Sequence, residues 1–369
     1  MTKREGKDSF EERLASSSMD LFWEWWVAST QALVDNIGSE EALKALRPYY
    51  LNANSAASQI CGDYFKEMAK DPDFVSMMGI FSSEAWFGCQ SQMRASDRLW
   101  VLDNHGCKTN GECKELCHLT CKELMDNQAQ RVNPEAFAVL EKSLCRGDDH
   151  CRILIGAKEG MAEYSCEGMR TIKHPEVSEW EFRSFQVQYL SESWVFTTRA
   201  LIDQLGARSA ADNLRSYMRH SGLSYGIALT NHLRGGEKGI ELLGRIIGAL
   251  NDGHMRKGSR RATTDMVDEE VRECPFSQAP PETCLQYEAF FNGICEAIDP
   301  SYEFSYDRMM TDGDEICHWA IRRKRTVPGS PSRKDPDEEL LRRLKSRLVE
   351  GEITPEQYRQ LLELLMENK

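Results

Sequence analysis

The sequence predicts an α+β protein: a tandem duplication of one domain with N-terminal helices and a small antiparallel sheet, plus a C-terminal α-hairpin. Three observations predict it. Trp26–Gly38 (WVASTQALVDNIG) matches Trp194–Gly206 (WVFTTRALIDQLG) at seven of thirteen positions, and Leu46, Arg47 and Tyr49 match Leu214, Arg215 and Tyr217 at the same offset of 168. Cys107-x9-Cys117 returns as Cys274-x9-Cys284 at offset 167, and Asn133-Pro134-x12-Gly147-Asp148 returns as Asp299-Pro300-x12-Gly313-Asp314 at offset 166. Each copy passes from helical periodicity to short β-rich runs around its Gly-Asp pair. The 369 residues amount to about two and a half domains of roughly 150 residues, which suits two copies and a remainder.

The elements follow in order. Residues 1–20 read as a tail and 21–165 as repeat 1. Apolar residues at helical spacing predict a helix over Leu21–Ile37, stopped by Gly38, then helices over Glu40–Tyr50 and Ser55–Met68. The Cys117 region also reads as helical. After Asn133-Pro134, Phe137–Leu144 and Cys151–Ile155 read as strands of a hairpin turned at Gly147-Asp148. Residues 166–188 read as a linker and 189–325 as repeat 2, with a reduced cysteine set. Its helices are expected over Trp194–Leu205, Ala210–Arg219 and Leu223–Leu233, and around Cys284. Its hairpin joins Phe304–Met310 to Ile316–Ile321 through Gly313-Asp314. Residues 326–337 (TVPGSPSRKDPD) read as a Pro/Ser linker, and 338–369 as a helical hairpin over Glu338–Glu350 and Glu356–Met366. That hairpin is too small to bury its own leucine stripe, so it is expected to meet a second copy or another protein.

Composition excludes several classes of function. The net charge of −13 opposes non-specific binding to nucleic acid or an anionic membrane. No apolar run approaches the roughly 20 residues needed to span a bilayer. The charged N-terminus lacks the apolar core of a secretory signal, so a reducing cytoplasmic location is expected. In that setting, thirteen cysteines point to metal or reactive thiols rather than a disulfide framework.

The cysteines carry the site expectation. Cys113, Cys117 and Cys121 lie at i, i+4 and i+8, one stripe of a helix, with Cys107 before it. Cys145 and Cys151 flank the Gly-Asp turn. Cys117, Cys145 and Cys151, with Cys107, Cys121 or Glu141 as fourth ligand, make a candidate site for zinc, or alternatively an iron–sulfur cluster. The competing reading is that these cysteines pack as small apolar residues, as Cys61, Cys89, Cys166 and Cys295 are expected to do. Around the turn, Cys151 is a candidate nucleophile, with His150, Asp148 or Asp149 as base. The plainer alternative is that Gly-Asp simply builds the turn. Arg47 is a candidate carboxylate clamp or one half of an ion pair. Trp86 is a candidate pocket wall or core residue. The repeat 2 equivalents are Cys274, Cys284, Asp314 and Cys317. The basic run Arg256–Arg261 reads as solvated loop charge.

The pattern Cys-x9-Cys, Asn/Asp-Pro, Gly-Asp-x-x-Cys resembles the L-2-amino-thiazoline-4-carboxylic acid hydrolase family, itself similar to the 4-vinyl reductase domain, a small-molecule-binding α+β module. The likeness covers about 100 residues of each copy. It implies hydrolysis of a C–N bond in a small cyclic, carboxylate-bearing substrate. In phenol-sensing relatives of that domain a zinc is held by a helix cysteine and by a Glu and two cysteines at the terminal hairpin. Cys117, Cys145 and Cys151 fall at those places, with Glu141 one position from the expected acid. Only Cys284 and Cys317 match in repeat 2, so repeat 1 is expected to hold the live site. The tail resembles the short SHOCT domain through Leu344, Leu348, Gly351, Ile353, Thr354, Glu356, Tyr358, Leu361 and Leu365, which implies oligomerisation or a protein partner. A non-catalytic binding or sensor module, or an assembly subunit, is the alternative to the hydrolase.

Overall fold

The computed structural model describes residues 10–50, 74–97, 99–108, 114–132, 134–157, 164–232, 239–254 and 256–324. The protein is α+β, with a small antiparallel sheet in each half; helices precede each sheet and a further helix interrupts its strands. Repeat 1 runs α1 (Phe10–Ile37), α2 (39–50), α3 (Phe74–Phe87), β1 (Gln90–Ala95) and β2 (Leu99–His105). A composite helix α4 follows: Lys114–Cys117, a π-helical stretch His118–Leu124, and Met125–Val132. The copy closes with β3 (Ala136–Lys142), β4 (Cys151–Ala157) and the short β5 (Arg170–Thr171). Repeat 2 runs α5 (Glu179–Leu205), α6 (Ala207–His232), α7 (Ile240–Gly253), β6 (Lys257–Ala262), β7 (Met266–Glu273), α8 (Pro281–Ile298), β8 (Tyr302–Arg308) and β9 (Cys317–Arg323).

The two sheets follow one path. Strand order is β3-β4-β2-β1-β5 in the first and β6-β7-β9-β8 in the second. With β5 set aside, the two orders are the same path, all antiparallel. Even the irregularity recurs: the ladder slips between Leu140 and Lys142 in β3, and between Tyr306 and Arg308 in β8. The one-residue surplus of repeat 1 between Cys117 and Asn133 falls where α4 winds as a π-helix. A π turn holds more residues than an α turn, so the extra residue is absorbed without moving either end of the helix.

Several boundaries differ from expectation. α1 starts at Phe10, inside the expected tail, and α5 starts at Glu179, inside the expected linker. The α5 start has a local cause. Ser178 and Glu181 form a reciprocal capping box, Glu181 N to Ser178 Oγ at 3.2 Å and Ser178 N to Glu181 Oε2 at 2.7 Å. α6 is one helix where two were expected, because Ser221-Gly222 is a packing contact rather than a break. α3, α7 and the hairpins β1–β2 and β6–β7 were not anticipated at all. The expected helix over Ser55–Met68, the linker 326–337 and the hairpin 338–369 lie outside the described residues.

The repeats are not separate bodies. One continuous apolar core holds residues of both. α1 packs on α5 and on α7 of the other copy, and α5 packs in turn on α3. This reciprocity is that of an isologous pair. Each first helix thus plugs the other copy's interior. Trp25 of repeat 1 meets Tyr287 and Phe290 of repeat 2, with ring centroids 5.1 and 4.9 Å apart. Tyr189 and Phe185 of repeat 2 meet Trp86 and Phe81 at 5.4 and 5.0 Å. Among the described residues, no helix is long and apolar enough to cross a membrane.

Candidate functional site

The terminal hairpins are built alike in both repeats. Gly147 and Gly313 sit at φ 91° and 97°, a left-handed conformation that glycine adopts without a Cβ penalty. Asp148 Oδ2 accepts from Ser143 N at 2.7 Å, and Asp314 Oδ2 from Met309 N at 2.8 Å. These carboxylates therefore shape the turn, the plainer of the two sequence readings. Cys151 Sγ accepts from Leu144 N at 3.4 Å, and Cys317 Sγ from Met310 N at 3.2 Å. Burial pushes both thiols above their ordinary pKa. A reactive nucleophile needs the opposite shift.

The structure does not bring Cys151 and His150 together. The His150 ring faces Asp149, Nδ1 to Oδ1 at 2.8 Å, and stacks on His105 at 4.9 Å. Its Nε2 lies 3.3 Å from Asp103 Oδ1, without hydrogen-bond alignment. Asp103 also receives Arg94 at 2.5 Å and Arg152 at 2.6 Å. Burial would raise the Asp103 carboxyl, but the two guanidinium groups outweigh it and hold the pKa below the usual range. Asp149 is fully exposed and held low chiefly by His150. This is a polar network on one sheet face, while Cys151 turns to the hairpin backbone.

The expected ligand set is not assembled either. Cys117 and Cys145 are joined by a disulfide. In repeat 2 the equivalent positions hold Cys284 and Thr311, with Thr311 Oγ1 donating to Cys284 Sγ at 3.4 Å. Helix and hairpin therefore touch at the same point in both copies, and repeat 1 adds a covalent bond there. Glu141 turns away, accepting from the Tyr164 hydroxyl and lying 3.9 Å from Arg152. Cys121 is buried and Cys107 half-buried against the core. Among the described residues, no three His, Cys, Asp or Glu side chains converge as metal ligands do. With Cys117 and Cys145 joined to each other and Glu141 elsewhere, the four expected donors do not stand together among the described residues.

Two further expectations change. Arg47 closes a bidentate ion pair with Glu123 at 2.6 and 2.7 Å, which leaves no free fork for a substrate. Trp86 stacks on Trp26 and Tyr189 and donates to Ser193 Oγ at 2.7 Å, so it cements the junction between repeats. Cys89 and Cys295 are buried core residues, as expected, and burial raises both thiols to about 12. Cys166 packs under a satellite cluster of Leu99, Val101 and Leu154, while Cys61 lies outside the described residues.

The strongest concentration of buried polar groups lies in repeat 2. His254, which follows α7, is fully buried. Tyr287 of α8 meets its Nδ1 at 2.8 Å, and its Nε2 lies 3.2 Å from Ser18 O of repeat 1. Burial lowers the His254 pKa to about 3, so the ring is neutral. Arg256, one residue before β6, is only 4% exposed, which overturns its reading as loop charge. It lies over the Tyr287 ring at 4.2 Å and donates to Tyr306 Oη at 3.0 Å. Burial raises Tyr287 and Tyr306 well above an ordinary phenol, and Cys284 to about 11. Cys274 and Cys317 lie within the same electrostatic neighbourhood. Sequence reasoning missed Arg256 because it heads a run of exposed basic residues. The signal present was its place between an apolar helix and a strand.

Comparison with protein-family models, with curated proteins and with solved structures gives no match to this chain.

Proposed function

We propose that the chain is a small-molecule-binding protein whose ligand site is the interior of repeat 2, between sheet β6–β9 and α8. One observation carries this reading: His254, Arg256, Tyr287 and Cys284 are buried together against aromatic rings, with the half-buried Tyr306 bonded to Arg256. Clusters of strongly perturbed groups are costly to a core and concentrate at functional sites. Repeat 1 lacks the set. Cys89 precedes β1 where Arg256 precedes β6, and Leu140 stands in the place of Tyr306. The duplication then has a use, since α1 of repeat 1 closes the repeat 2 interior with Phe22 and Trp25.

A C–N hydrolase of the thiazoline-carboxylate type is the second reading. It is favoured by the grouping of Cys274, Cys284 and Cys317 around one guanidinium, and weakened by the raised thiols. Residues 338–369 are proposed to join copies of the chain or to hold a protein partner. A thermal-shift screen of small aromatic and thiazoline acids against the full chain tests the binding reading. Stabilisation by such acids, with no ring opening of L-2-amino-thiazoline-4-carboxylate, supports a binding module. Ring opening abolished by Cys284→Ser supports the hydrolase. No stabilisation by any acid, and no turnover, refutes both.

A further inference from the structure

The two terminal hairpins form a natural comparison. Both turn through a 3₁₀ segment, Leu144–Arg146 or Met310–Asp312, and both close at a glycine whose N–H reaches back to the first residue of that segment, at 2.9 and 3.1 Å. Both are tied by an aspartate, Asp148 or Asp314, and by a cysteine sulfur, Cys151 or Cys317. The difference lies at the helix. Repeat 1 joins α4 to its hairpin covalently, Cys117 to Cys145, across a sequence separation of 28. Repeat 2 makes the same contact with only the bond from Thr311 Oγ1 to Cys284 Sγ. The hairpin therefore takes its shape with or without the disulfide. A crosslink that the fold does not require is free to open and close in the native protein.

The two sulfurs also differ in access. Cys117 is 7% exposed and ends the first α-helical stretch of α4. Cys145 is half-buried, in a turn that holds no fully buried residue. Exchange begins when a thiolate reaches one sulfur of the pair, and disulfides with an exposed sulfur are the labile ones. Cys145 is then the sulfur attacked and Cys117 the one that leaves. α4 is held further along by other bonds: Glu123 pairs with Arg47, and Asp126 accepts from Ala138 N of β3. Loss of the disulfide thus frees the hairpin and leaves the helix seated.

We propose that the Cys117–Cys145 bond is a reversible redox site, opened and closed by exchange with a dithiol, that fastens and frees the terminal hairpin of repeat 1. A thiolate of the dithiol attacks Cys145 Sγ. A mixed disulfide forms, the Cys117–Cys145 bond breaks, and Cys117 leaves as a thiolate and takes up a proton. The second thiolate of the dithiol then attacks its own bonded sulfur and releases Cys145, which takes up the second proton. The dithiol ends as a disulfide, and the protein has gained two electrons and two protons. Closure is the reverse, with the oxidised dithiol as acceptor. The hairpin carries Asp149 and His150, so the redox state reaches the polar network around Asp103.

The test equilibrates the full chain anaerobically over a series of reduced-to-oxidised dithiothreitol ratios. Acid quenching, alkylation in urea and peptide masses read the reduced fraction of Cys117 and Cys145, and hydrogen–deuterium exchange reads both hairpins. The two cysteines are expected to titrate together, along one curve from either direction. Reduction should speed exchange of residues 143–151 by about tenfold or more, with residues 309–317 of repeat 2 unchanged. Cys145→Thr should show the fast exchange at every ratio. A bond that opens only where residues 309–317 also lose protection is structural and overturns the proposal. So does a reduced chain, or a Cys145→Thr chain, whose residues 143–151 exchange as slowly as those of the oxidised parent. Absence of a Cys117–Cys145 linked peptide at the most oxidising ratio overturns it as well.

Discussion

Gly222→Ala is expected to destabilise the protein, although alanine is the better helix former. α6 and α8 approach so closely that a Cβ on Gly222 would lie 1.9 Å from the Phe290 carbonyl oxygen. Gly293 makes the reciprocal contact, its Cβ falling 2.1 Å from Arg219 O. Real Cβ contacts do not fall below 3.0 Å, so the Gly222 variant must move two helix backbones apart by about 1.1 Å, the difference between 3.0 and 1.9 Å. Neither neighbour is a side-chain end that can swing aside. Overpacking of this kind costs about 1–3 kcal/mol, against roughly 1 kcal/mol gained from helix propensity. The helix displaced is α8, which carries Cys284 and Tyr287. Gly79→Ala in α3 is the control, because its Cβ would meet only the flexible end of Met93, at 3.0 Å. Urea unfolding should show Gly222→Ala clearly less stable than the parent and Gly79→Ala near neutral. A Gly222→Ala protein as stable as Gly79→Ala would refute the close approach.

Other outcomes follow from the site. Asp148→Ala and Asp314→Ala each remove one charge-assisted bond to a turn N–H. Discounted for exposure, each should cost about 1 kcal/mol in urea unfolding; no loss from either would contradict the turn role. In Cys145→Thr, which grafts the repeat 2 arrangement, the fold should persist and Cys117 should become alkylatable. A non-reducing digest of the parent that lacks a Cys117–Cys145 cross-linked peptide would contradict the disulfide. His254 is neutral when folded, its pKa lowered to about 3 by burial, while the unfolded value is about 6.5. The unfolded chain then binds the extra proton as pH falls below about 6.5. Stability is therefore whole above that value and falls by about 2 kcal/mol at pH 5. His254→Gln should flatten this slope; an unchanged slope would show that other groups set it.

The duplication was legible because its markers are of kinds that resist substitution. Gly38 and Gly206 end helices at positive φ, and Gly147-Asp148 and Gly313-Asp314 form one turn. Other elements were hidden by chemistry rather than distance. β6 reads KGSRRA and is exposed throughout, so it shows no alternation; its strand identity comes from pairing with β7. α7 contains Gly244 and Gly248, which read as breakers but sit where Val267 and Arg260 press on the helix. Gly222 misled in the same way and split α6 in two. The site was harder still. Spacing ranked residues by cysteine count and so favoured repeat 1, where Cys117 and Cys145 pair with each other and Arg47 with Glu123. What sets repeat 2 apart is the burial of Arg256 beside His254 and Tyr287, and that is visible only in the structure.

The central claim is that a small molecule is held inside repeat 2. Hydrogen–deuterium exchange of the full chain, with and without a saturating compound that stabilises it in the thermal-shift screen, tests it most directly. The account predicts added protection at the end of α7, the start of β6 and the middle of α8, with the hairpin 143–151 of repeat 1 unchanged. Protection confined to residues 143–151, or none in repeat 2, would contradict it.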